Sequence, residues 1–316
     1  MNTSVSQTAV WKNTARRARR YWQLYLFLSL PVIYLLVFKY VPMIGAQIAF
    51  RNYSPVSGIW ESEWVGLKFF RKFIASYQFR RVLENTLRIS IYSILAGFPV
   101  PLLLALMLNC VRSRRMKKIS QNILYIPHFI SVVVMVGMLM QFINPVVGLF
   151  AVVHSALYGS LPADLMANPQ AFPHLYVWSD IWQNMGWDSV IYLAALTAVE
   201  PELHEAAGID GASRLQRVWH VDLPAILPTV VILLIMRCGN VMSVGFEKAY
   251  LMQTDLNLRT SELISTYVYK VGLTSAGSGS QFSYATAIGL FNSVVNMILL
   301  VIVNTVSRRV GETSLW

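Results

Sequence analysis

The chain has 316 residues, of which 55% are hydrophobic and only 13% are charged. A soluble domain normally carries about a quarter charged residues, so this composition excludes an ordinary soluble protein and predicts apolar surface in contact with lipid. The formal net charge is +11, but the basic residues cluster beside apolar stretches, which is typical of segments held on the cytoplasmic, anionic-lipid side of a membrane. We therefore expect a lipid bilayer, and no nucleic acid, as the electrostatic partner.

Hydropathy predicts an all-α integral membrane protein with six transmembrane helices. A helix needs roughly 20 mostly apolar residues to cross the hydrocarbon core. The fourth predicted span, residues 175–199, is the least apolar. Its first half is interrupted by polar residues, which indicate a part that leaves the bilayer or lines a wet cavity; they are Asp180, Gln183, Asn184 and Asp188. The six predicted spans are residues 22–44, 84–110, 122–143, 175–199, 225–245 and 284–306.

Loop charge predicts the orientation of these spans. With the N- and C-termini in the cytoplasm, the basic loop 111–121 lies inside, whereas loop 144–174, which contains no Lys or Arg, lies outside. This distribution follows the positive-inside rule. The predicted regions are a basic cytoplasmic N-terminus (1–20), the first span with an external amphipathic segment (21–83), a five-span core (84–306) with a cytoplasmic coupling loop (200–224), and a cytoplasmic tail (307–316).

One segment disagrees with charge counting. Residues 45–83 carry six basic side chains and nevertheless fall on the outer side. We keep the assignment because residues 66–82 are typical of an amphipathic helix lying in the membrane interface. The apolar residues of this predicted helix recur at helical spacing; they are Leu67, Phe70, Ile74 and Tyr77.

The loop between the fourth and fifth spans carries the most specific pattern. It reads Glu205-Ala206-Ala207, three residues, Gly211, nine residues, Val221, one residue, and Leu223-Pro224. A short Glu-Ala-Ala match alone would be weak, since these residues form helices in any protein. The full spacing, in a cytoplasmic loop before the penultimate span, is far more specific and points to a function of the loop.

The residue types in this loop predict a helix–turn–helix. Pro201 suits the first position of a helix, and the small Ala206 and Ala207 would let that helix lie deep in a groove of another subunit. Gly211 permits a turn that a side chain would strain, and either Asp210 or Ser213 can cap a second short helix. The loop would thus form a rigid element that transmits force from a neighbouring subunit.

This pattern resembles the EAA loop of ABC importer permeases, in which Ile stands at the position of Val221. The resemblance extends from about Tyr21 to Trp316. Gly245-Phe246-Glu247-Lys248 and the terminal Ser314-Leu315-Trp316 are similar to the oligosaccharide-uptake branch, whose members import oligosaccharides that include fragments of polygalacturonan and alginate. The resemblance implies a type I ABC importer permease fold in the bacterial cytoplasmic (inner) membrane.

The resemblance also implies partners. It predicts a heterodimer with a second permease subunit, two ATPase subunits, an extracytoplasmic solute-binding protein and an oligosaccharide substrate, acidic (uronate) sugars among them. The sequence contains no G-x-x-x-x-G-K-[ST] phosphate loop, so we expect no cofactor in this chain, with ATP and Mg²⁺ bound by the partner ATPase. The residues implied in coupling to that ATPase are Glu205, Ala206, Ala207, Asp210, Gly211 and Arg214.

Polar and aromatic residues inside the predicted spans are candidates for the substrate path, because such residues are expensive in lipid and usually face a cavity or the bundle interior. Arg237 could pair with a sugar carboxylate or, equally, with an internal acidic partner such as one on the second permease. Gly289, Asn292 and Asn296 share one helix face, as interhelical links or as ligands of sugar hydroxyls. The path candidates are Arg237, Asn240, Asn292, Asn296 and Tyr192.

Two other classes of function compete with the importer. A secondary active sugar transporter would need ionisable coupling residues near the midplane, where Arg237 is the one clear charge. A membrane-embedded enzyme would need a nucleophile with a base, and Gly211-Ala212-Ser213 lacks the second half of a G-x-S-x-G elbow. Two isolated cysteines and five scattered histidines show no metal-ligand spacing. We therefore predict neither catalytic nor metal-binding residues.

Overall fold

The computed structural model describes residues 20–274 and 280–311. The predicted basic N-terminus therefore lies, except for Arg20, outside the described residues, as does the terminal Ser314-Leu315-Trp316. The Gly/Ser-rich stretch 275–280, predicted as an external loop before the last span, also lies outside them except for Ser280. Across the described ranges the chain is helical, and extended pairing is limited to two isolated bridges. The helices are α1 (Trp22–Phe50), α2 (Gly58–Glu61), α3 (Lys68–Ile74), α4 (Tyr77–Asn109), α5 (Arg114–Phe129), α6 (Val132–Phe142), α7 (Leu149–Tyr158), α8 (Phe172–Thr197), α9 (Pro201–Ile209), α10 (Arg214–Gly239), α11 (Phe246–Met252), α12 (Leu258–Ser261), α13 (Ile264–Tyr269) and α14 (Ser280–Gly311).

Four of the described helices, α1, α4, α10 and α14, are long and apolar enough to cross a membrane. The pair α5 and α6 gives a fifth crossing if the two are counted as one broken span. Helix α8 has 26 residues, which is sufficient length, but the polar residues of its first half keep it out of the apolar group. The part of the chain that the structure describes thus has four or five apolar spans.

The predicted span 122–143 is not one straight helix. Helices α5 and α6 meet at an angle of 97°. Pro127 removes a backbone donor at the end of α5, Ile130 is extended, and the Ser131 hydroxyl caps the next helix by accepting from the Val134 amide. Hydropathy could not place this break because the apolar character continues through it.

The predicted amphipathic helix 66–82 is likewise divided. Helix α3 ends at Ile74, and the Ser76 hydroxyl accepts from the Phe79 amide to cap α4. The buried face of α3 is Phe69 and Phe73, whereas the predicted apolar face is largely exposed. The aromatic ring of Phe73 packs against other rings of α4 and α14, and this packing decides which face turns inward.

Helix α8 lies at the centre of the bundle and contributes to two of three core clusters. Its first half packs with α6 and α11 around Tyr176 and Val177, and its second half packs with α4 and α10 around Leu193. The third cluster joins α3, α4 and α14. By contrast, the segment Trp22–Leu35 of α1 contains no buried residue, so it projects from the rest of the chain.

A very close approach between α5 and α8 depends on Gly186. A Cβ atom added at Gly186 would lie 2.0 Å from the carbonyl oxygen of Leu124. Only glycine lets the two helix backbones come this close, because any side chain would collide with backbone that cannot move aside independently. This contact fixes α5 against the middle of α8.

Gly186→Ala is expected to lower the stability of the protein by about 1–3 kcal/mol, since overpacking a fixed contact forces the backbones apart. The measurement is the thermal unfolding midpoint in detergent. Gly137→Ala is the matched control, because Gly137 is also helical and a Cβ there meets nothing within 4 Å. Equal melting temperatures for the two variants would contradict the close-packing assignment.

Candidate functional site

Loop 200–224 forms the predicted helix–turn–helix. Helix α9 begins with Pro201, and the turn that follows has Gly211 in the left-handed region at a φ of 77°. Ser213, rather than Asp210, caps the second helix in a reciprocal capping box with Gln216. The predicted geometry of this element is confirmed, with the difference that α10 runs without a break from Arg214 through Pro224, the predicted start of the fifth span.

The five residues that directly precede Leu223-Pro224, Val218–Asp222, form one π-helical turn. A π-turn inserts an extra residue into an α-helix and is frequently found at functional sites. Here it joins the cytoplasmic part of α10 to its apolar part. Sequence pattern gave no sign of it.

The predicted coupling residues lie on the outer surface of this element. Glu205, Ala206, Asp210, Gly211 and Arg214 are exposed, and Ala207 is half-buried. Large apolar side chains beside them are also exposed, and a contiguous group of such side chains marks an interaction surface. These apolar residues are Leu203, Ile209, Leu215 and Trp219.

A buried carboxylate ties this element to the bundle. Asp222 is 3% exposed, and its Oδ1 lies 3.2 Å from His204 Nε2 of α9 and 3.5 Å from Asn109 Nδ2 at the end of α4. These contacts connect α9 directly to the end of α4 and to α10. Sequence reasoning missed Asp222, although an acidic residue directly before the apolar span was a visible signal.

A cavity of about 440 Å³ lies between α4, α8 and α10. It brings together three of the five predicted path residues, Arg237, Asn240 and Tyr192. Asp180 and Asp188 of α8 also line it, in accord with the expectation that polar residues in the fourth span face a wet cavity. Asn292 and Asn296 do not line this cavity.

Arg237 forms an ion pair with Asp188 across the cavity wall. The two side chains are 37% and 32% exposed, so the pair is accessible from the cavity. Of the two interpretations of Arg237, the structure supplies the internal acidic partner, and that partner is in the same chain rather than in a second subunit.

A second ion pair joins Lys248 of α11 to Asp180, with Nζ and Oδ1 3.4 Å apart. The Lys248 ammonium also lies 4.9 Å from the centre of the Tyr176 ring, a cation–π contact. Burial lowers the pKa of Lys248 to about 8, and the Asp180 charge opposes this effect. The sequence pattern drew attention to Lys248 only as part of a family resemblance.

The other predicted path residues have structural partners. Asn296 Oδ1 accepts from the Met242 amide at 2.9 Å, and its Nδ2 donates to Ser243 Oγ at 2.8 Å, which is the interhelical link among the alternatives. Tyr192 is 3% exposed and packs edge-to-face on Phe98.

The remaining predicted path residues are Asn240 and Asn292. Asn240 donates to its own helix, at the Met236 carbonyl. Asn292 Oδ1 is buried with no hydrogen-bond partner among the described residues. Neither contact identifies a sugar ligand, so both residues stay predictions for the path.

Comparison with known proteins places this architecture in a family. The model of the family described as "Binding-protein-dependent transport system inner membrane component" matches residues 73–312. The Polygalacturonan/rhamnogalacturonan transport system permease protein YteP of Bacillus subtilis (strain 168) is 42% identical over 293 residues, covering 93% of this chain and 90% of that protein. Protein LplB of the same organism is 40% identical over 293 residues, covering 93% and 91%.

A solved structure has the same fold. The crystal structure of a bacterial ABC transporter involved in the import of the acidic polysaccharide alginate contains a chain that matches with a TM-score of 0.85 and 38% identity, covering 96% of this chain and 99% of that one. The fold is therefore that of an ABC importer permease. The chain belongs to the family of binding-protein-dependent transport system inner membrane components, and it is a multi-pass membrane permease.

The Arg237–Asp188 pair yields a prediction about stability. Arg237→Gln or Asp188→Asn alone should cost about 2 kcal/mol, less than for a fully buried pair because each side chain is about one-third exposed. The double variant should recover most of this loss, because no unpaired charge remains in the bundle. Thermal unfolding of the four proteins measures the coupling, and strictly additive losses would show that the pair does not interact.

Proposed function

We propose that this permease is one of two different permease subunits in an ATP-driven importer that receives oligosaccharides from an extracytoplasmic binding protein. The observation that carries the proposal is the exposed helix–turn–helix, locked by Asp222 to two of the helices that enclose the cavity. One rigid connection thus runs from a free surface to the candidate substrate path. The importer would contain two ATPase subunits that bind ATP and Mg²⁺, and one of them would dock on that surface.

The proposed topology has six spans with both termini in the cytoplasm. Helix α8 is counted as a span because its 26 residues reach about 39 Å and it lies at the centre of the bundle. The coupling element then faces the cytoplasm together with the basic loop after α4. Helix α3 lies at the other end, since α4 separates the two by 33 residues, or about 50 Å.

Transport would proceed by alternating access. Closure of the ATPase subunits on ATP would move α9, and Asp222 would pass the movement to α4 and α10, so that rigid-body motion opens the cavity toward the binding protein. A secondary sugar transporter, the competing class, is disfavoured because the chain belongs to a binding-protein-dependent family.

We infer that the cargo is an oligosaccharide that includes acidic sugars. The relatives named above are a polygalacturonan/rhamnogalacturonan permease and a chain from an alginate importer. The cavity adds a physical argument, because Arg237 holds a carboxylate of its own chain and is accessible. A uronate carboxylate could replace Asp188 as the partner of this guanidinium, and the displaced Asp188 carboxylate would then face the cavity.

The coupling role is tested at Gly211. Gly211→Val forces a β-branched residue into a left-handed conformation, which strains the turn by roughly 1–2 kcal/mol, and we expect ATP-driven uptake by the reconstituted importer to fall at least about tenfold. Gly159→Val is the matched control, since Gly159 has a φ of 69° and equally open surroundings at the end of α7. Equal uptake by the two variants would exclude the turn from coupling.

The acidic cargo is tested with the charge-neutral double variant Arg237→Gln/Asp188→Asn, which leaves no unpaired charge. Uptake of a uronate oligosaccharide should fall about tenfold, the effect of losing one charge-assisted contact. Uptake of the same oligosaccharide as its methyl ester should change little, because the ester offers no carboxylate. An equal loss for both sugars would contradict carboxylate recognition at Arg237.

A further inference from the structure

A second cavity lies away from the candidate substrate path, at the place where Asp222 of α10 contacts α9 and α4. We call this place the coupling joint. The cavity has a volume of about 270 Å³ and is enclosed by the end of α4, helix α9 and the start of α10. Its polar lining consists of Asn109, Arg112, His204, Arg214, Arg217 and Asp222. The proposed transport cycle assigns no ligand to this second cavity.

The charges that line this cavity do not balance. Three arginines contribute three positive charges, and Asp222 is the single carboxylate among its lining residues, so the net charge is +2 with His204 neutral. Asp222 Oδ1 already contacts His204 and Asn109. The cavity therefore has an excess of cationic donors over acceptors, which favours an anion.

Arg217 is half-buried beside this cavity. A guanidinium offers several donors in a fixed fork that matches the oxygens of a phosphate. Arg112 and Arg214 are exposed at the same cavity, so a ligand could be held from several sides.

The position of the cavity indicates where a phosphate would come from. It lies beside the end of α4 and the residues that directly precede the predicted fifth span, which in the proposed topology is the cytoplasmic end of both spans. Helix α5 continues from this point with an exposed apolar stripe of Met116, Ile119 and Ile123, which offers a surface for acyl chains. Basic pockets between transmembrane helices on the cytoplasmic side are typical sites for anionic headgroups.

We propose that this cavity binds a phosphate group, supplied by an anionic phospholipid headgroup or by inorganic phosphate, through Arg112, Arg214 and Arg217. A bound phosphate would connect the segment after α4 to the start of α10. The ligand would then stabilise the joint through which α9 acts on the bundle.

The test measures lipid binding to the delipidated, purified importer by native mass spectrometry. Phosphatidylglycerol should bind, and phosphatidylcholine, which has no net charge, should bind much more weakly. Arg112→Gln/Arg217→Gln should weaken phosphatidylglycerol binding about 30-fold, the effect of removing two nearby charges. Arg114→Gln/Arg115→Gln is the matched control, because it removes two charges from the same basic segment outside the cavity lining, and it should weaken binding less than about threefold.

A second arm distinguishes the two sources of phosphate. Inorganic phosphate that displaces phosphatidylglycerol from the wild type shows a shared site, and arginine-dependent binding of inorganic phosphate alone assigns the free ion as the ligand. The single variant Arg112→Gln should fold normally because Arg112 is exposed, so it separates a loss of binding from misfolding. It should weaken phosphatidylglycerol binding about fivefold. Equal losses in the cavity variant and the control variant, or no anion binding by the wild type, would overturn the proposal.

Discussion

Charges inside an apolar bundle must be paired, and this constraint organises the centre of the molecule. Helix α8 carries Asp180 and Asp188 two turns apart, and each holds a cation from a different neighbour, Lys248 of α11 and Arg237 of α10. An uncompensated charge in such a site would be strongly destabilising. The two pairs therefore fix the positions of α10 and α11 around α8, and in doing so they enclose the cavity.

The same helices serve both the cavity and the coupling joint. Helices α4 and α10 line the cavity at one level, and at another level Asp222 of α10 contacts Asn109 of α4. In the proposed transport cycle, motion at the joint would reach the cavity through these two helices. The proposed mechanism would thus need no separate pathway between the two sites, only two alternative positions for these helices.

Local patterns predicted a large part of this structure. The apolar stretches located the long helices because lipid imposes a composition that is visible residue by residue, and Pro201 and Gly211 fixed the coupling turn through backbone geometry alone. The break before Val132 was not predictable from hydropathy, since it depends on a proline and a serine cap inside a continuously apolar stretch.

Contacts between residues far apart in the chain were the second feature that the sequence did not predict. Arg237 and Asp188 were both recognised as unusual, yet they lie 49 residues apart, and only the packing of α8 on α10 makes them partners. The buried face of α3 was misassigned for the same reason, because Phe73 is selected by aromatic neighbours on a distant helix. A single sequence identifies which side chains need a partner more readily than which partner they find.

The π-helical turn Val218–Asp222 has a consequence for the rotational phase of α10. Each residue of an α-helix turns the chain by about 100°, so one inserted residue rotates everything after it by about that angle relative to Arg214 and Arg217. With Asp222 anchored to α4 and α9, this rotation decides which way Arg214 and Arg217 face relative to the part of α10 that lines the cavity. The direction of the exposed helix–turn–helix surface relative to the cavity is thus set by one irregular turn between them.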